Sequence, residues 1–281
     1  MQTVHDAGAL RAAIRGWRTA GQTVGFVPTM GNLHAGHFSL IRLARMRADR
    51  VIASVFVNPT QFGPNEDFDR YPRTLVQDQA GLAEHDCDLL FAPDVATMYP
   101  YGPANTVSLH VPQITETLEG AHRPGHFDGV ATVVCKLFNL VQPDLAVFGQ
   151  KDFQQLKVIE RMVRDLGLPV KVIGAPTQRA EDGLALSSRN QYLSPEERAL
   201  APRIHAMLVQ MRELIAKGHA VSVVEQAAAS QLERAGFAPD YVAIRRAEDL
   251  LPPGGEERTG LVGLVAARLG STRLIDNLLF D

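Results

Sequence analysis

The sequence predicts an α/β protein with a parallel sheet in its N-terminal part and a smaller α+β unit in its C-terminal part. Over the first two thirds of the 281 residues, short β-rich runs alternate with segments of helical apolar spacing, which is typical of a parallel α/β sheet. Several runs are apolar almost throughout, as expected for strands covered on both faces. The pattern changes near residue 177, so we predict two domains, 1–177 and 178–281.

The elements of the first domain follow from its apolar pattern. Predicted strands cover 23–27, 51–57, 88–92, 145–148 and 170–173. The first of them is expected to end at Pro28, because proline lacks the N–H that a ladder requires. Predicted helices cover 38–44, 130–141 and 153–166.

The second domain opens with a helix start signal. Ser194, Pro195 and Glu197 have the spacing of an N-cap, a first-turn proline and the glutamate of a capping box. Two helices are predicted, at 195–217 and 221–235, followed by β-rich segments at 240–245 and 261–268. These elements indicate a small α+β unit.

Composition narrows the class of protein. A hydrophobic fraction of 46% and a charged fraction of 21% are ordinary for a globular chain. The net charge of −3 argues against a nucleic-acid partner, and no run is long and apolar enough to predict a membrane span. Two cysteines form no disulfide framework. We expect a cytoplasmic protein that acts on small molecules.

The segment PTMGNLHAGH (28–37) is the strongest candidate site. It lies between the first predicted strand and the next helix, where free backbone N–H groups and the helix dipole favour an anion. His34 and His37 are three residues apart at this helix start, so both can face a phosphate. A surface pair and two of four zinc ligands are the alternatives, and the zinc site lacks further ligands at usable spacing.

Three other loops carry polar side chains suited to binding. Asn58 and Gln61 lie in a polar loop, 58–65, after the second strand, and offer neutral hydrogen-bonding groups, although ordinary turn chemistry is equally consistent with them. Lys151 precedes a helix, where a cation opposes the dipole unless a polyphosphate lies between them. Arg189 follows two serines at 187–188, a compact phosphate clamp that also occurs in plain turns.

Two further groups of residues are weaker candidates. Asp78 is a reasonable Mg²⁺ ligand, although a solvated helical carboxylate is commoner. The polar loop 119–126, which contains Glu119 and Arg123, could cover a site, and the roles of these two residues are left open.

Five blocks taken together resemble the pantothenate synthetase (pantoate–β-alanine ligase) family of HIGH-motif nucleotidyltransferases. They are PTMGNLHAGH (28–37), FVNPTQFGPNEDFDRYPRT (56–74), LEGAHRPGHFDGVATVV (118–134), FGQKDFQQL (148–156) and DGLALSSRN (182–190). The resemblance implies a Rossmann-like N-terminal domain, a smaller C-terminal domain and a homodimer. It also implies ATP-dependent condensation of (R)-pantoate with β-alanine to pantothenate, AMP and pyrophosphate, through a pantoyl-adenylate.

The resemblance assigns roles to individual residues. His37, His34 and Lys151 are the expected catalytic residues, with His37 as proton donor. Gln61, Gln155 and Asn58 are expected to bind the substrates pantoate and β-alanine. The expected ATP-binding residues are Met30, Gly31, Asn32, Leu33, His34, Ala35, Gly36, His37, Gly149, Gln150, Lys151, Asp152, Gln178, Leu186, Ser187, Ser188 and Arg189.

The hypothesis for the mechanism is electrostatic. The two histidines and Lys151 would stabilise charge on the α-phosphate and on pyrophosphate, while the 187–189 loop and Mg²⁺ hold the outer phosphates. An NAD-dependent oxidoreductase is disfavoured, because no G-x-G-x-x-G follows the first strand. An aminoacyl-tRNA synthetase and a non-catalytic nucleotide-binding module are the remaining alternatives.

Overall fold

The computed structural model of the chain describes residues 1–64, 66 and 68–280. The chain divides into two compact units. The first contains residues 1–150 and 158–176, and the second contains 151–157 and 177–281. The segment 151–157 therefore groups with the second unit, although the sequence-based division places it in the first domain.

The first unit is a parallel sheet with helices. Its strands are β1 (Gln2–Val4), β2 (Val24–Thr29), β3 (Arg50–Val55), β4 (Leu89–Phe91), β5 (Leu145–Gly149) and β6 (Lys171–Ala175). Its helices are α1 (Ala7–Thr19), α2 (Ala35–Arg45), α3 (Leu75–Glu84), α4 (Val95–Met98), α5 (Glu119–His122), α6 (His126–Val141) and α7 (Phe153–Asp165), the last beginning in the segment that groups with the second unit.

Among the described residues, six strands form this sheet in the order β1-β4-β3-β2-β5-β6, and every pairing between them is parallel. After β2 the chain builds outward through β3 and β4, and it then returns to place β5 on the other side of β2. The strand order thus reverses between β2 and β5, and the crevice outside the carboxyl ends at such a point is where open α/β sheets bind ligands. The segment 28–37 follows β2, and Gly149 ends β5.

Burial explains why β2 is a strand, and its pairing with β3 shows that the strand ends later than predicted. Val24, Phe26 and Val27 are fully buried, which matches a strand covered on both faces. The strand does not stop at Pro28 as predicted, because Pro28 and Thr29 remain in register with β3. The ladder with β5 covers only the beginning of β2, so the end of the strand tolerates a residue without an N–H.

The second unit combines three helices with an antiparallel sheet, among the residues described. The helices are α8 (Pro195–Leu200), α9 (Arg203–Ala216) and α10 (Val221–Arg234), and the strands are β7 (Phe237–Arg246), β8 (Leu261–Leu269) and β9 (Thr272–Phe280), in the order β7-β8-β9. The capping box of Ser194 and Glu197 is present at the start of α8. The single predicted helix 195–217 is wrong, because Pro202 lacks the N–H that a continuous helix needs.

Strand β9 was missed by the sequence patterns, as was the three-residue β1. Asp276 and Asn277 are both buried in β9, so the strand shows no clean alternation of apolar and polar residues. Arg179 compensates the buried carboxylate through two hydrogen bonds to Asp276, of 2.6 and 2.9 Å. In the part of the chain that the structure describes, no helix is long and apolar enough to span a membrane.

Candidate active site

The turn between β2 and α2 places two imidazoles at the start of the helix. The chain turns through Gly31 (φ +85°) and Asn32 (φ +52°), and His34 is the N-cap of α2. His34 Nδ1 accepts a hydrogen bond from the Gly36 N–H at 3.1 Å, and His37 Nδ1 accepts one from the His34 N–H at 3.3 Å. The ring centroids of the two histidines are 4.2 Å apart.

This double cap determines the tautomer of both rings. A backbone N–H can only donate, so the Nδ1 atom that faces it must carry a lone pair. In each neutral ring the proton therefore lies on Nε2. The same residues thus satisfy backbone donors of the helix start with Nδ1 and carry an N–H donor on the opposite side of the ring.

Asp78 holds this turn from the neighbouring helix α3. Its side chain is buried, Oδ1 accepts from the Leu33 N–H at 2.8 Å, and Oδ2 accepts from the Asn32 N–H at 3.1 Å. The Thr74 hydroxyl donates a third hydrogen bond, to Oδ2, at 3.2 Å. A Cβ at Gly31 would lie 3.0 Å from Oδ2, so glycine permits both the positive φ and the close approach.

The magnesium role expected for Asp78 stays a prediction. Both carboxylate oxygens already accept backbone hydrogen bonds. No three His, Cys, Asp or Glu residues of the described ranges group in a way that could hold a metal ion. The contacts of Asp78 indicate an anchor for the 31–33 turn.

The other polar turn of the first unit, after β3, brings Asn58, Gln61 and Met30 together. Asn58 is almost completely buried, and Gln61 retains 8% exposure. Asn58 Nδ2 donates to Gln61 Oε1 at 3.1 Å, and Gln61 Nε2 lies 3.1 Å from Met30 Sδ. Gln61 is therefore oriented by Asn58, and the burial of Asn58 favours a supporting role over substrate contact. Asn65, the last residue of the predicted polar loop, lies outside the described residues.

A partly buried ionic cluster behind Gln61 was not anticipated from the sequence. Arg123 donates to both carboxylate oxygens of Glu66 at 2.6 Å, and its guanidinium lies 3.6 Å from Glu119. His126 Nδ1 donates to the Gln61 carbonyl at 2.8 Å, while its Nε2 accepts from Arg123 at 3.1 Å. The polar segment 119–126 gave a signal, but its partners are distant in sequence.

The pKa values of this cluster follow from burial and charge. Burial and, to a lesser extent, the neighbouring positive charge of Arg123 together lower the pKa of His126 to about 4. Burial acts to raise the pKa of Glu66, but hydrogen bonding and the charge of Arg123 outweigh it, so that pKa is lowered. At neutral pH the cluster therefore contains a neutral His126 and an ionised Glu66.

In the second unit, Lys151 belongs to a short 3-10 turn, Gln150–Asp152, ahead of α7. The Lys151 carbonyl accepts a hydrogen bond from Asn277 Nδ2 at 2.8 Å, so the lysine backbone is tied to β9. Gln155 lies on the first turn of α7 and is partly buried. The predicted position of Lys151 before a helix is observed, and its side-chain role stays a prediction.

The expected phosphate loop of the second unit is a hairpin followed by a capped turn. The Leu186 N–H donates to the Gln178 carbonyl at 2.9 Å, and Arg179 pairs with Ala185. Ser187 Oγ then accepts from the Arg189 N–H at 3.2 Å at the start of the 3-10 turn Ser188–Tyr192. The predicted phosphate-binding role of these residues stays a prediction.

The chain matches a known protein family along almost its whole length. The family model described as pantoate-beta-alanine ligase matches residues 2–279. The chain belongs to the pantoate–β-alanine ligase family. A pantothenate synthetase of Xanthomonas axonopodis pv. citri is 57% identical over 280 residues, covering 100% of both chains. One from Xanthomonas campestris pv. campestris (strain B100) is 55% identical over 283 residues, again over 100% of both.

Solved structures of relatives share the fold. A pantothenate synthetase from Thermus thermophilus superposes with a TM-score of 0.92 at 52% identity, covering 100% of this chain and 99% of the other. A pantoate-beta-alanine ligase from Francisella tularensis, complexed with beta-gamma ATP and beta-alanine, gives a TM-score of 0.83 at 35% identity, covering 100% and 98%.

These findings confirm several predictions made from the sequence. The resemblance to this family and the α/β fold class are confirmed. The predicted activity, ATP-dependent ligation of pantoate and β-alanine by an amide-forming ligase, is confirmed through membership of the family.

Proposed function

We propose that the chain carries out this ligation in two half-reactions at the carboxyl end of its parallel sheet. First, a carboxylate oxygen of pantoate attacks the α-phosphorus of ATP, the bond to the bridging oxygen breaks, and pyrophosphate leaves. Then the neutral amine of β-alanine attacks the acyl carbon and the C–N bond forms. The bond between the acyl carbon and the oxygen that bridges to phosphorus breaks, AMP leaves with that bridging oxygen, and the nitrogen releases a proton to solvent. No covalent enzyme intermediate is required.

One observation carries this proposal: two histidines cap the helix after β2 through Nδ1, so the neutral rings carry their protons on Nε2. A pair of N–H donors at a helix start suits the charge that develops on an α-phosphate and on departing pyrophosphate. His34 and His37 are therefore proposed to stabilise that charge through hydrogen bonds from Nε2–H, and the proton-donor role that the resemblance implies for His37 is proposed to be hydrogen-bond donation without transfer of the proton.

The other predicted residues complete the proposal. ATP is proposed to lie along the 30–37 segment, and Lys151 is proposed to neutralise its phosphates, with Ser187, Ser188 and Arg189 on the outer ones. The remaining proposed ATP contacts are Gly149, Gln150, Asp152, Gln178 and Leu186. Gln61 and Gln155 are proposed to hold pantoate without adding charge, and Asn58 is proposed to support Gln61.

Magnesium is proposed to enter as a complex with ATP. The oxygens of Asp78 are engaged with the Asn32 and Leu33 amides, which does not favour a resident ion at that carboxylate. When bound to the phosphates, Mg²⁺ would neutralise charge on the leaving pyrophosphate.

Pyrophosphate–ATP isotope exchange tests the two-step scheme. With labelled pyrophosphate, label should enter ATP when pantoate is present and β-alanine absent, because the adenylate forms reversibly. Exchange in the absence of pantoate would contradict the scheme, and so would a lack of exchange both with and without pantoate. A non-catalytic nucleotide-binding module would bind ATP and give no exchange at all.

The protein is also proposed to be cytoplasmic and to form a homodimer. Both cysteines, Cys87 and Cys135, are unpaired thiols, which agrees with a reducing cytoplasm. The resemblance to the family supports a homodimer, which equilibrium sedimentation of the purified chain would test.

A further inference from the structure

Tyr99 lies at the end of α4, where its hydroxyl meets the polar turn that contains Asn58 and Gln61. Its side chain is buried. The Tyr99 hydroxyl donates to Asn58 Oδ1 at 2.6 Å and lies 3.2 Å from the Thr60 hydroxyl. Burial raises the pKa of Tyr99, so its hydroxyl keeps the proton that it donates.

The orientation of the Asn58 amide is determined by groups that have only one hydrogen-bonding role. The Gly129 carbonyl, 3.2 Å from Asn58, can only accept, so the atom facing it is Nδ2. On the other side, the Thr60 N–H can only donate, and it points at Oδ1 at 3.4 Å. The short hydrogen bond from Tyr99 strengthens the same orientation.

The orientation of Asn58 is passed to Gln61. Asn58 Nδ2 donates to the Gln61 side chain at 3.1 Å, so the atom facing it is the oxygen Oε1. The NH₂ group of Gln61 is then directed the other way, where its neighbour is the thioether sulfur of Met30 at 3.1 Å. A thioether is a weak acceptor, which a carboxylate or hydroxyl oxygen of a substrate would outcompete.

We propose that Tyr99 is a positioning residue that acts through Asn58 to present Gln61 as a hydrogen-bond donor to the pantoate carboxylate or hydroxyl. The proposal rests on the proposed role of Gln61 in holding pantoate. Without the Tyr99 hydroxyl, Asn58 Oδ1 keeps only the longer hydrogen bonds from the Thr60 hydroxyl at 3.1 Å and the Thr60 N–H at 3.4 Å. The Asn58 amide is then held less firmly, and the Gln61 amide more often samples orientations that present its oxygen to an anionic substrate. Such an orientation repels a carboxylate.

Tyr99→Phe is the decisive variant, because it removes the hydroxyl and keeps the buried ring. We expect the KM for pantoate to rise about three- to tenfold, which corresponds to the loss of one hydrogen bond, while the KM for ATP stays within about twofold. Thr132→Val is the matched control. It removes a buried hydroxyl on α6 that accepts from the Leu109 N–H, and it should leave both KM values unchanged.

A double-mutant cycle separates positioning through Gln61 from a general effect on the fold. In a Gln61→Ala background, adding Tyr99→Phe should change kcat/KM for pantoate by less than about twofold, because its target is gone. The proposal is overturned if Tyr99→Phe leaves the pantoate KM unchanged. It is equally overturned if its effect persists in full in the Gln61→Ala background, or if ATP and pantoate are affected alike.

The side-chain amide resonances of Gln61 give a readout that does not depend on the substrate. Tyr99→Phe should shift them in the free enzyme, and Thr132→Val should not; unshifted resonances in Tyr99→Phe would overturn the proposal. If Gln61→Ala does not raise the KM for pantoate while the resonances do shift, the assigned role of Gln61 fails and the orienting contact through Asn58 stands.

Discussion

The most informative residues are His34 and His37, because their two ring nitrogens have different roles. Nδ1 of each ring caps the helix, and Nε2 carries the hydrogen-bond donor proposed for catalysis. Serine, threonine, aspartate and asparagine are the usual N-caps, and a histidine cap is an uncommon solution. Here His34 Nδ1 and His37 Nδ1 satisfy backbone donors. Helix capping and the proposed chemistry can therefore be separated by substitution.

Two substitutions of His34 should separate these roles. His34→Asn keeps a side-chain oxygen for the cap and removes the Nε2–H donor, so kcat should fall about 100-fold or more with little change in thermal stability. His34→Ala should lose similar activity and also about 0.5–2 kcal/mol of stability, since the cap is lost. Steady-state kinetics and thermal unfolding measure both. Full activity in His34→Asn would show that His34 only caps the helix and has no part in catalysis.

Asp78→Asn tests whether this residue anchors the turn or binds the metal. Its amide would place an NH₂ group against the Asn32 or Leu33 N–H, leaving a buried donor unpaired at a cost of about 1–3 kcal/mol. We expect a raised KM for ATP and an unchanged Mg²⁺ concentration at half-maximal rate. Thr74→Val, which removes only the hydroxyl donor to Asp78, is the mild control. A large shift in Mg²⁺ dependence would identify a metal ligand.

At the scale of elements, the contact between α6 and the 58–61 turn decides where Gln61 lies. A Cβ at Gly129 would lie 2.3 Å from the Thr60 carbonyl oxygen and 2.7 Å from the Gln61 Cα. The helix can approach this closely only because residue 129 is glycine. His126 and Asn58 then form hydrogen bonds across the same contact. The sequence showed the apolar face of this helix but not what it packs against.

Gly129→Ala should therefore destabilise the protein, although alanine favours a helix. The overlap with backbone atoms forces the turn to move, which we expect to cost about 1–3 kcal/mol and to raise the KM for pantoate. Gly16→Ala in α1 is the matched control, because nothing lies within 4 Å of its added Cβ; it should stabilise by about 0.5–1 kcal/mol. Urea unfolding of both variants would measure these changes in the free energy of unfolding. Equal stabilisation by the two substitutions would contradict the packing argument.

At the scale of the whole molecule, the partly buried His126 links global stability to pH. The pKa of His126 is lowered from 6.5 to about 4 by burial, with Arg123 adding to the shift. The unfolded chain therefore binds a proton below pH 6.5 that the native state binds only near pH 4. The contribution of His126 to the free energy of unfolding is therefore fully present above pH 6.5, and it is lost as the pH falls towards 4.

His126→Gln should flatten this pH dependence. Glutamine can donate to the Gln61 carbonyl and accept from Arg123, as the neutral imidazole does, but it does not titrate. Between pH 7 and pH 5 the native protein should lose about 2 kcal/mol of unfolding free energy more than the variant. His110, whose pKa is raised by its hydrogen bond and charge interaction with Asp128, acts in the opposite sense in both proteins. The unfolding free energy at each pH is measured by urea titration. If it changes equally with pH in the native protein and in the variant, His126 has no role in this pH dependence.

The sequence by itself determined the α/β class, most strands and the candidate loops, because apolar period, caps and glycine turns are local properties of the chain. The two histidines, Lys151 and the family resemblance could be identified on that basis. Tertiary structure alone decided what holds these groups: Asp78 on the 31–33 turn, Arg123 with Glu66, Tyr99 on Asn58, and Asn277 on the Lys151 carbonyl. The residues of each pair are 41 to 126 positions apart, and contacts at such distances leave no periodic trace in one sequence. For the 28–37 loop, the local helix cap therefore determined the tautomers of the two histidines, and the tertiary fold supplied the Asp78 carboxylate that holds the 31–33 turn.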